Sequence, residues 1–403
     1  MNRRTFLATT AGAGMAALGP KTASGAGPDG EKPVLHLPET LTSPVKIASI
    51  DVLKAGGNHF LRSRSADGAT GVAMANSRIA YLMGILRQRV IPYFIGKDAR
   101  DIEHLIEGVY VHQSNYKLGG LAFWNCAGWV EFSLFDLLGK IAGKGVADLL
   151  GGRVRSEIPV YLSSMRRDTT PQQEVAWLSK RLAETGSDAV KLKVGGRMSR
   201  NRDAFPGRTD ALIPLARKTF GDQVAIYTDA NGSYDAARGI EVGRMLADHG
   251  VAFFEEPCPW EELEETKRVT DALDLPVAGG EQDASLPRFR SMVKNRVVDI
   301  VQPDVNYNGG LIRTVQVARM AAAAGREITP HSPAAGFRAI TMLQFAAATP
   351  NIGAHMEFTG APVRKETWCT PAVEIKDGKV HVPDGPGLGL EIDPAYLARA
   401  EKV

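Results

Sequence analysis

The chain of 403 residues contains only three cysteines, Cys126, Cys258 and Cys369. They lie far apart and match no CxxC metal or redox pattern, and an odd number cannot form a complete disulfide framework. We therefore expect buried free thiols. The sequence also lacks any run of 18 or more uninterrupted apolar residues, so no stretch is predicted to span a membrane.

A strong excess of charge is missing as well. The formal net charge is +3, and Arg3, Arg4 and Lys21, in an N-terminal segment without acidic residues, account for all of it. The neutral remainder lacks the basic surface that binds nucleic acid or anionic membranes, so we expect neither partner for the mature chain. A content of 44% hydrophobic and 23% charged residues is ordinary for a globular protein. The length predicts a large domain plus a smaller one.

The N-terminal segment is typical of a twin-arginine export signal. MNRRTFLATTAGAGMAALGPKTASGAG begins with paired arginines, continues with a mildly apolar Gly/Ala-rich stretch and offers small residues at Ser24 and Ala26 for a signal peptidase. We predict that residues 1–26 are a signal peptide and that the protein is periplasmic or otherwise exported. The alternative is that Arg3 and Arg4 occur next to each other by chance near the terminus and do not direct export. Residues 27–44, rich in Pro and Gly, are predicted to be a linker.

Seven short apolar runs between Val190 and Phe358 each end in a charged or ionisable residue. The intervals between these residues are 36, 26, 26, 23, 27 and 26, which is about the length of a strand, a helix and two loops. The residues are Lys193, Asp229, Glu255, Glu281, Asp304, His331 and Glu357. Helix-forming segments separate the runs, so the pattern predicts a parallel (β/α)8-type barrel. In such a barrel the strand ends meet at one mouth, where the chemistry occurs.

The rest of the chain is predicted to form a smaller domain beside the barrel. Residues 45–155 begin with alternating strands around a turn at Asp67 and Gly68 and continue with helices, which indicates an α+β unit. The barrel is predicted to span residues 156–360, with its first strand at 158–164. Residues 361–403 lack helical periodicity, so we expect them to return to the N-terminal strands.

Three carboxylates on successive strand ends predict a metal site. Asp229, Glu255 and Glu281 would repel one another in a buried pocket unless a cation lay between them, and oxygen ligands suit Mg2+. The alternative is that each carboxylate pairs with a nearby Lys or Arg. From the residues alone, either Glu255 or Glu256 could be the second ligand, because only one of two adjacent strand residues is expected to face the mouth.

Lys191 and Lys193 are predicted to supply a base. They lie two positions apart on one strand, hence on the same face and about 6.6 Å apart. Two close ammonium groups disfavour each other's charge, and a lowered pKa makes a lysine a usable base. Solvated lysines are the alternative.

Further polar residues are expected near the same mouth. Asp304 could hydrogen-bond His331, fix its tautomer and raise its pKa. Glu357 ends the last strand with His355 on the same face, and either could reach the pocket. Asn231, two residues after Asp229, could donate to a substrate oxygen.

Together these motifs resemble the mandelate racemase branch of the enolase superfamily. The resembling pieces are KLKVGG, DAN, FFEEP, GGE, QPD followed by GG, PH and HMEF, and the resemblance covers about residues 45–390. It implies a modified (β/α)7β TIM barrel with an N-terminal α+β capping domain that the C-terminal segment completes. It also implies Mg2+ as cofactor, bound by Asp229, Glu255 and Glu281.

The same resemblance implies roles for the remaining residues. Lys193 would be one acid/base, and the Asp304–His331 pair would be the other. Lys191 and Glu357 would contact the substrate carboxylate, which favours Glu255 over Glu256 as metal ligand.

The reaction implied is abstraction of the proton α to a carboxylate, giving an enediolate that the metal stabilises. We predict a sugar-acid dehydratase that converts an aldonic or aldaric acid into a 2-keto-3-deoxy acid. A racemase or epimerase using the same two groups is the alternative, and a catalytically dead sugar-acid binding protein is the alternative of another class. The expected partners are a small carboxylate substrate and further copies of the same chain.

The export prediction can be tested by changing Arg3 and Arg4 to Lys, which preserves the charge but removes the arginine pair that defines the signal. We expect the full-length folded protein to remain in the cytoplasm, as measured by fractionating the cells and blotting both compartments. Unchanged recovery from the periplasm would contradict a twin-arginine route.

Overall fold

The N-terminal part of the chain forms an antiparallel sheet covered on one face by helices. In a computed structural model, residues 32–363 and 365–403 are described. The strands are β1 (Ile47–Ala55), β2 (Asn58–Ser65) and β3 (Thr70–Ala75), paired in the order β1-β2-β3. Gly68, at the tip between β2 and β3, has φ +96°, which a glycine adopts without strain. The predicted turn is confirmed.

The predicted signal peptide, residues 1–26, and the first residues of the predicted linker lie outside the described residues. From Val34 onward the chain is packed rather than linker-like. The backbone N–H groups of Val34 and Leu35 donate to the same Glu103 carboxylate oxygen at 2.9 and 2.7 Å. Residues 34–403 form one compact unit, so the prediction that the linker extends to residue 44 is corrected. The predicted division into 45–155, 156–360 and 361–403 stays a prediction.

The helices that follow β3 connect the first sheet to the rest of the fold. They are α1 (Ile79–Ile85), α2 (Ile91–Phe94), α3 (Ile102–Val111), α4 (Leu121–Ala142) and α5 (Val146–Leu149), with short 3-10 or π-helical turns at Leu86–Val90, Ala99–Asp101 and His112–Leu118. Helix α4 is buried along most of its length. Strand β3 approaches it so closely that a Cβ on Gly71 would lie 2.2 Å from the Ser133 carbonyl oxygen.

Within the described residues, eight parallel strands and seven intervening helices form the predicted (β/α)7β barrel. The elements in chain order are β4 (Glu157–Ser163), α6 (Pro171–Thr185), β5 (Ala189–Lys193), α7 (Arg208–Phe220), β6 (Ala225–Asp229), α8 (Ala236–Asp248), β7 (Phe253–Glu255), α9 (Leu263–Ala272), β8 (Val277–Gly279), α10 (Leu286–Lys294), β9 (Ile300–Val301), α11 (Leu311–Ala323), β10 (Glu327–Ile328), α12 (Ile340–Ala348) and β11 (Met356–Thr359). A 3-10 turn, Gly336–Ala339, precedes α12. Strand β11 pairs with β4 and closes the barrel.

Three barrel strands are shorter than the sequence pattern predicts. Strand β8 ends at Gly279, before Glu281. Strands β9 and β10 end at Val301 and Ile328, before Asp304 and His331. Pro303 and Pro330 follow them, and proline has no N–H to donate to a strand ladder. An isolated parallel bridge still joins Asp304 to His331, so the two residues remain neighbours beyond the ends of the regular strands.

The C-terminal segment contacts both parts of the fold. Its elements are β12 (Cys369–Thr370), β13 (Ile375–Lys376), β14 (Lys379–His381), β15 (Glu391–Ile392), α13 (Pro394–Ala398) and β16 (Glu401–Lys402). Strand β16 pairs with β1, which confirms the predicted return to the first sheet. The hairpin β13–β14 instead pairs antiparallel with β4, on the side away from β5.

The barrel encloses an inner cluster below its mouth, while the main core lies between strands and helices. Tyr161, Tyr227 and Phe253 fill this inner cluster with two alanines. Cys126, Cys258 and Cys369 are free and buried, as predicted. Within the described residues, none of the helices has both the length and the apolar character needed to cross a membrane.

A single carboxylate joins α4 to the barrel helix α11. Glu131 is fully buried, and its two oxygens accept the backbone N–H groups of Leu311 and Ile312, the first residues of α11. The first N–H groups of a helix lack partners within the helix, and the oxygens of Glu131 satisfy two of them. The Glu131 carboxylate can lie here because residue 310 is a glycine. A Cβ on Gly310 would lie 2.0 Å from a Glu131 oxygen.

We therefore expect Glu131→Ala to lower the free energy of unfolding by about 2–4 kcal/mol, because two buried N–H groups lose a carboxylate acceptor. Glu131→Gln, which keeps one acceptor oxygen, should lose less. Urea unfolding followed by circular dichroism measures the change, with the exposed Glu107→Ala on α3 as control. A loss no larger for Glu131→Ala than for the control would contradict the role of Glu131.

Candidate active site

Three buried carboxylates meet at the mouth of the barrel. Asp229 and Glu255 end β6 and β7, and Glu281 lies two residues beyond the end of β8. One oxygen from each lies within 4.8 Å of the others. Burial raises the pKa of Glu255 to about 8 against the opposing charge of Lys191, and the neighbouring carboxylates add to the rise. Such crowding is what a cation would relieve.

The donor set fits a magnesium ion. Oε2 of Glu281 is buried and accepts no hydrogen bond from the residues that the structure describes, although Nε2 of His331 lies 3.4 Å away. A buried carboxylate oxygen without a partner is costly unless something binds it. Hard oxygen donors with room for further ligands are what Mg2+ prefers. The alternative of separate lysine partners holds for Asp229 and Glu255 but leaves Glu281 without one.

Glu256 is also buried at this end of the barrel. Its φ of +41° turns the chain immediately after β7, so that its carboxylate is not directed to solvent. Oε2 of Glu256 accepts from Nδ2 of Asn231 at 3.4 Å, while Oε1 has no hydrogen-bond partner. Burial, with the charge of Glu281, holds the pKa of Glu256 well above its usual range. The expectation that one of the two glutamates would point away is corrected, although only Glu255 joins the triad.

The two lysines of β5 occupy different surroundings. Nζ of Lys191 is fully buried and lies 2.8 Å from both Glu255 and Glu357. Nζ of Lys193 forms an ion pair with Asp229 and lies 3.3 Å from Oδ1 of Asn231. The carboxylates near Lys191 outweigh the effect of burial and hold its pKa well above the usual range. The predicted lowering of the pKa is therefore wrong for Lys191.

His331 lies at the other end of the triad from Lys193. Its Nδ1 is 2.7 Å from Oδ2 of Asp304, and Nε2 faces Glu281. Burial alone would lower the pKa of His331, but the charges of Glu281 and Glu357, with Asp304, raise it to about 10. Asp304 is held in place by the N–H groups of Asn306 and Tyr307 at 2.7 and 3.0 Å. The structure thus brings the predicted pair together.

Glu357 is held from three sides at the mouth. Its Oε1 accepts from Oγ of Ser163 at 2.7 Å and lies 2.8 Å from Nζ of Lys191, and Oε2 accepts from the N–H of Ser332 at 2.7 Å. Burial would raise the pKa of Glu357, but the charge of Lys191 and neighbouring cations lower it to about 2. Glu357 is therefore an anion in this arrangement.

Asn231 lies beside the metal triad, as the sequence predicts. Its N–H donates to Oδ1 of Asp229 at 2.7 Å, and its Oδ1 is contacted by Lys193, Arg167 and Arg197. Neither arginine was predicted, because both lie on loops without periodicity. Gln302, which donates to Glu255 at 3.0 Å, was also missed, although it follows the last residue of β9 and the strand-end pattern could have indicated it.

His355 does not reach the site, which corrects its prediction as a substrate contact. It faces the barrel interior but precedes Glu357 by two residues and so lies about 6.6 Å further from the mouth. Its Nδ1 is 2.9 Å from the Tyr227 hydroxyl and its Nε2 is 3.0 Å from Asp188, just before the start of β5. His355 therefore belongs to the opposite end of the barrel.

Comparisons with known proteins identify the family. Residues 173–396 match the family described as enolase C-terminal domain-like. The chain is 32% identical over 305 residues to an arabinonate dehydratase of Saccharolobus solfataricus, covering 75% of this chain and 78% of the relative. It is also 32% identical over 314 residues to a D-galactarolactone cycloisomerase of Agrobacterium fabrum, covering 75% and 80%.

A solved structure supports the same assignment. The mandelate racemase/muconate lactonizing protein of Paracoccus denitrificans, complexed with magnesium, superposes with a TM-score of 0.80 and 26% identity over 89% of this chain and 99% of that chain. The chain is thus an enzyme of the enolase superfamily and belongs to its mandelate racemase branch. The predicted family and fold class are confirmed.

We expect Glu281→Gln to weaken Mg2+ binding by more than roughly 100-fold. Loss of a residue that only supports a metal ligand costs roughly 10- to 100-fold, and loss of a ligand should cost more. The reason is that Glu281 is the triad member with an unpaired oxygen. Calorimetric titration of Mg2+ into the metal-free protein measures the affinity independently of activity. Glu264→Gln, an exposed glutamate on α9, is the matched control, and equal affinity of the two variants would refute the site.

Proposed function

We propose that the protein is a Mg2+-dependent sugar-acid dehydratase that converts an aldonic or aldaric acid into a 2-keto-3-deoxy acid. The observation that carries the proposal is the arrangement of two proton-carrying groups at opposite ends of the carboxylate triad. Lys193 pairs with Asp229 at one end, and His331 lies against Glu281 at the other. Lys193 is the last residue of β5 and His331 follows β10, and these two strands lie on different sides of the barrel.

The metal would be held by Asp229, Glu255 and Glu281. When bound, a Mg2+ ion supplies positive charge that makes loss of a proton next to a carboxylate easier. Lys191, buried against Glu255 and Glu357, supplies a fixed positive charge close to the same place. We assign the substrate carboxylate to this part of the site, because buried cations there can bind it and exclude water.

The proposed reaction removes one molecule of water and involves no oxidation. Lys193, as a free amine when a metal ion would balance Asp229 in its place, takes the proton from the carbon next to the carboxylate. The electrons of that C–H bond form a double bond to the next carbon as its C–O bond breaks. His331, in its imidazolium form, gives a proton to the departing hydroxyl, which leaves as water. The enol that remains rearranges to the 2-keto-3-deoxy acid.

The contact between Nδ1 of His331 and Asp304 at 2.7 Å supports this elimination. A hydroxyl group is a poor leaving group and needs an acid, and a histidine kept protonated beside Asp304 is such an acid. A racemase or epimerase could use the same two side chains to move a proton from one face of the carbon to the other. Names of relatives support dehydration, since the arabinonate enzyme is a dehydratase.

The test is to incubate the protein with Mg2+ and a panel of aldonic and aldaric acids and to detect 2-keto acids as semicarbazones. We expect a keto acid from at least one substrate, and we expect none from the His331→Asn variant, which cannot protonate the leaving hydroxyl. Epimer formation without any keto acid would overturn the dehydratase proposal in favour of the epimerase.

A further inference from the structure

Two arginines converge on the mouth of the barrel without a carboxylate partner. Arg167 lies on the loop after β4 and Arg197 on the loop after β5. Their NH2 groups approach Oδ1 of Asn231 at 2.9 and 3.2 Å. In the part of the chain that the structure describes, no ion pair within the 4.0 Å limit involves either guanidinium. Arg167 also donates to the Asp229 carbonyl oxygen at 3.4 Å, so the hydrogen-bond acceptors of this arginine pair are neutral oxygens.

This arrangement leaves hydrogen-bonding capacity that an anion could use. Arg167 is half-buried, and its Nε is buried without any hydrogen-bond partner. Burial lowers the pKa of Arg167, the charge of Asp229 offsets part of this effect, and the charges of Arg197 and Arg208 lower the pKa further. The adjacent Arg166, by contrast, lies 3.6 Å from Glu174 and stacks on Trp177. A buried N–H group that loses water without gaining an acceptor, as Nε of Arg167 does, is costly, and a bound carboxylate would supply the missing acceptor.

The arginine pair lies next to the reacting groups but apart from the buried lysine. Nζ of Lys193 contacts the same Asn231 oxygen at 3.3 Å. Lys191, to which we assign the reacting carboxylate, is fully buried between Glu255 and Glu357. Arg197 is exposed and so borders the solvent side of the mouth. The arginines are therefore available to a second group of the substrate.

We propose that Arg167 and Arg197 form a second anion-binding subsite, which selects a hydroxylated dicarboxylate over the matching monocarboxylate. Within the proposed function, on which this inference rests, the substrate class is then aldaric rather than aldonic acids. The planar fork of an arginine matches the two oxygens of a carboxylate. Nε of Arg167 provides one unused donor for such a contact.

If Arg167 and Arg197 served only to position Asn231, their substitution would change the activity on different substrates in a different way. If Arg167 and Arg197 only oriented Asn231, their loss would affect every substrate alike, because Asn231 lies beside Asp229 and Lys193. A subsite for a second carboxylate predicts a loss confined to dicarboxylates. The comparison of matched substrates separates the two explanations.

The experiment compares Arg167→Gln with the unaltered protein on aldaric and aldonic acids of the same chain length and configuration, in Mg2+. We expect the unaltered protein to prefer the diacid. In Arg167→Gln, kcat/KM for the diacid should fall about 10- to 100-fold, the range for a lost hydrogen bond to a charged group, with little change for the monoacid. Arg167→Lys should recover part of the loss. Arg202→Gln is the control, because the Arg202 guanidinium lies on the same loop as Arg197 and donates to the Ser199 carbonyl oxygen.

Calorimetric binding of the same acid pairs to the Mg2+-loaded protein keeps this inference separate from the proposed function. If no acid is turned over, the dehydratase proposal fails, and a preference for binding diacids that Arg167→Gln abolishes would still support the subsite. Equal losses for both acids, or no preference for diacids in the unaltered protein, would overturn the subsite while leaving dehydration intact.

Discussion

The crowding of carboxylates at the barrel mouth is the constraint that the rest of the site must satisfy. Asp229, Glu255 and Glu281 lie within 4.8 Å of one another and are buried with Glu256 and Glu357 close by. Water cannot screen these charges, so the protein must balance them with its own cations or with a metal ion. Lys191 and Lys193 neutralise part of this charge, and the unpaired oxygen of Glu281 shows where more positive charge is required.

The first sheet and its helices contribute to the site by holding the barrel loops. Glu131 of α4 binds the start of α11, directly after the loop that carries Asp304. Arg78, just before α1, contacts the hydroxyl of Tyr307 at 2.5 Å, and the Tyr307 ring lies 5.9 Å from the His331 ring. These contacts fix the position of the acid group on a barrel whose own strands end early.

Much of the site could be predicted because one physical regularity governs it. Parallel barrel strands end at a common mouth, so the spacing of charged residues located Lys193, Asp229 and Glu255 at the ends of observed strands. The spacing was less accurate at β9 and β10, where Pro303 and Pro330 follow the last hydrogen-bonded strand residues. It failed for His355, because strand alternation predicts which way a side chain faces but not how far it lies from the barrel mouth. Strand alternation also does not predict that the chain turns at Glu256 and that this side chain is buried.

Other features depend on the three-dimensional surroundings and could not be predicted. The pKa of Lys191 is set by Glu255 and Glu357, which are distant in sequence, and not by its neighbour Lys193. Arg167 and Arg197 lie on loops, whose residues follow no period. Only the folded chain shows that both contact Asn231.

The central claim is that Lys193 and His331 are two separate proton carriers acting on the carbon next to the substrate carboxylate. The most direct measurement is deuterium incorporation at that carbon in heavy water, followed by NMR for both epimers of a bound acid, with Lys193→Met and His331→Asn variants. Each variant is predicted to lose exchange with one epimer and to retain it with the other. Exchange of both epimers by either variant would contradict the two-carrier geometry.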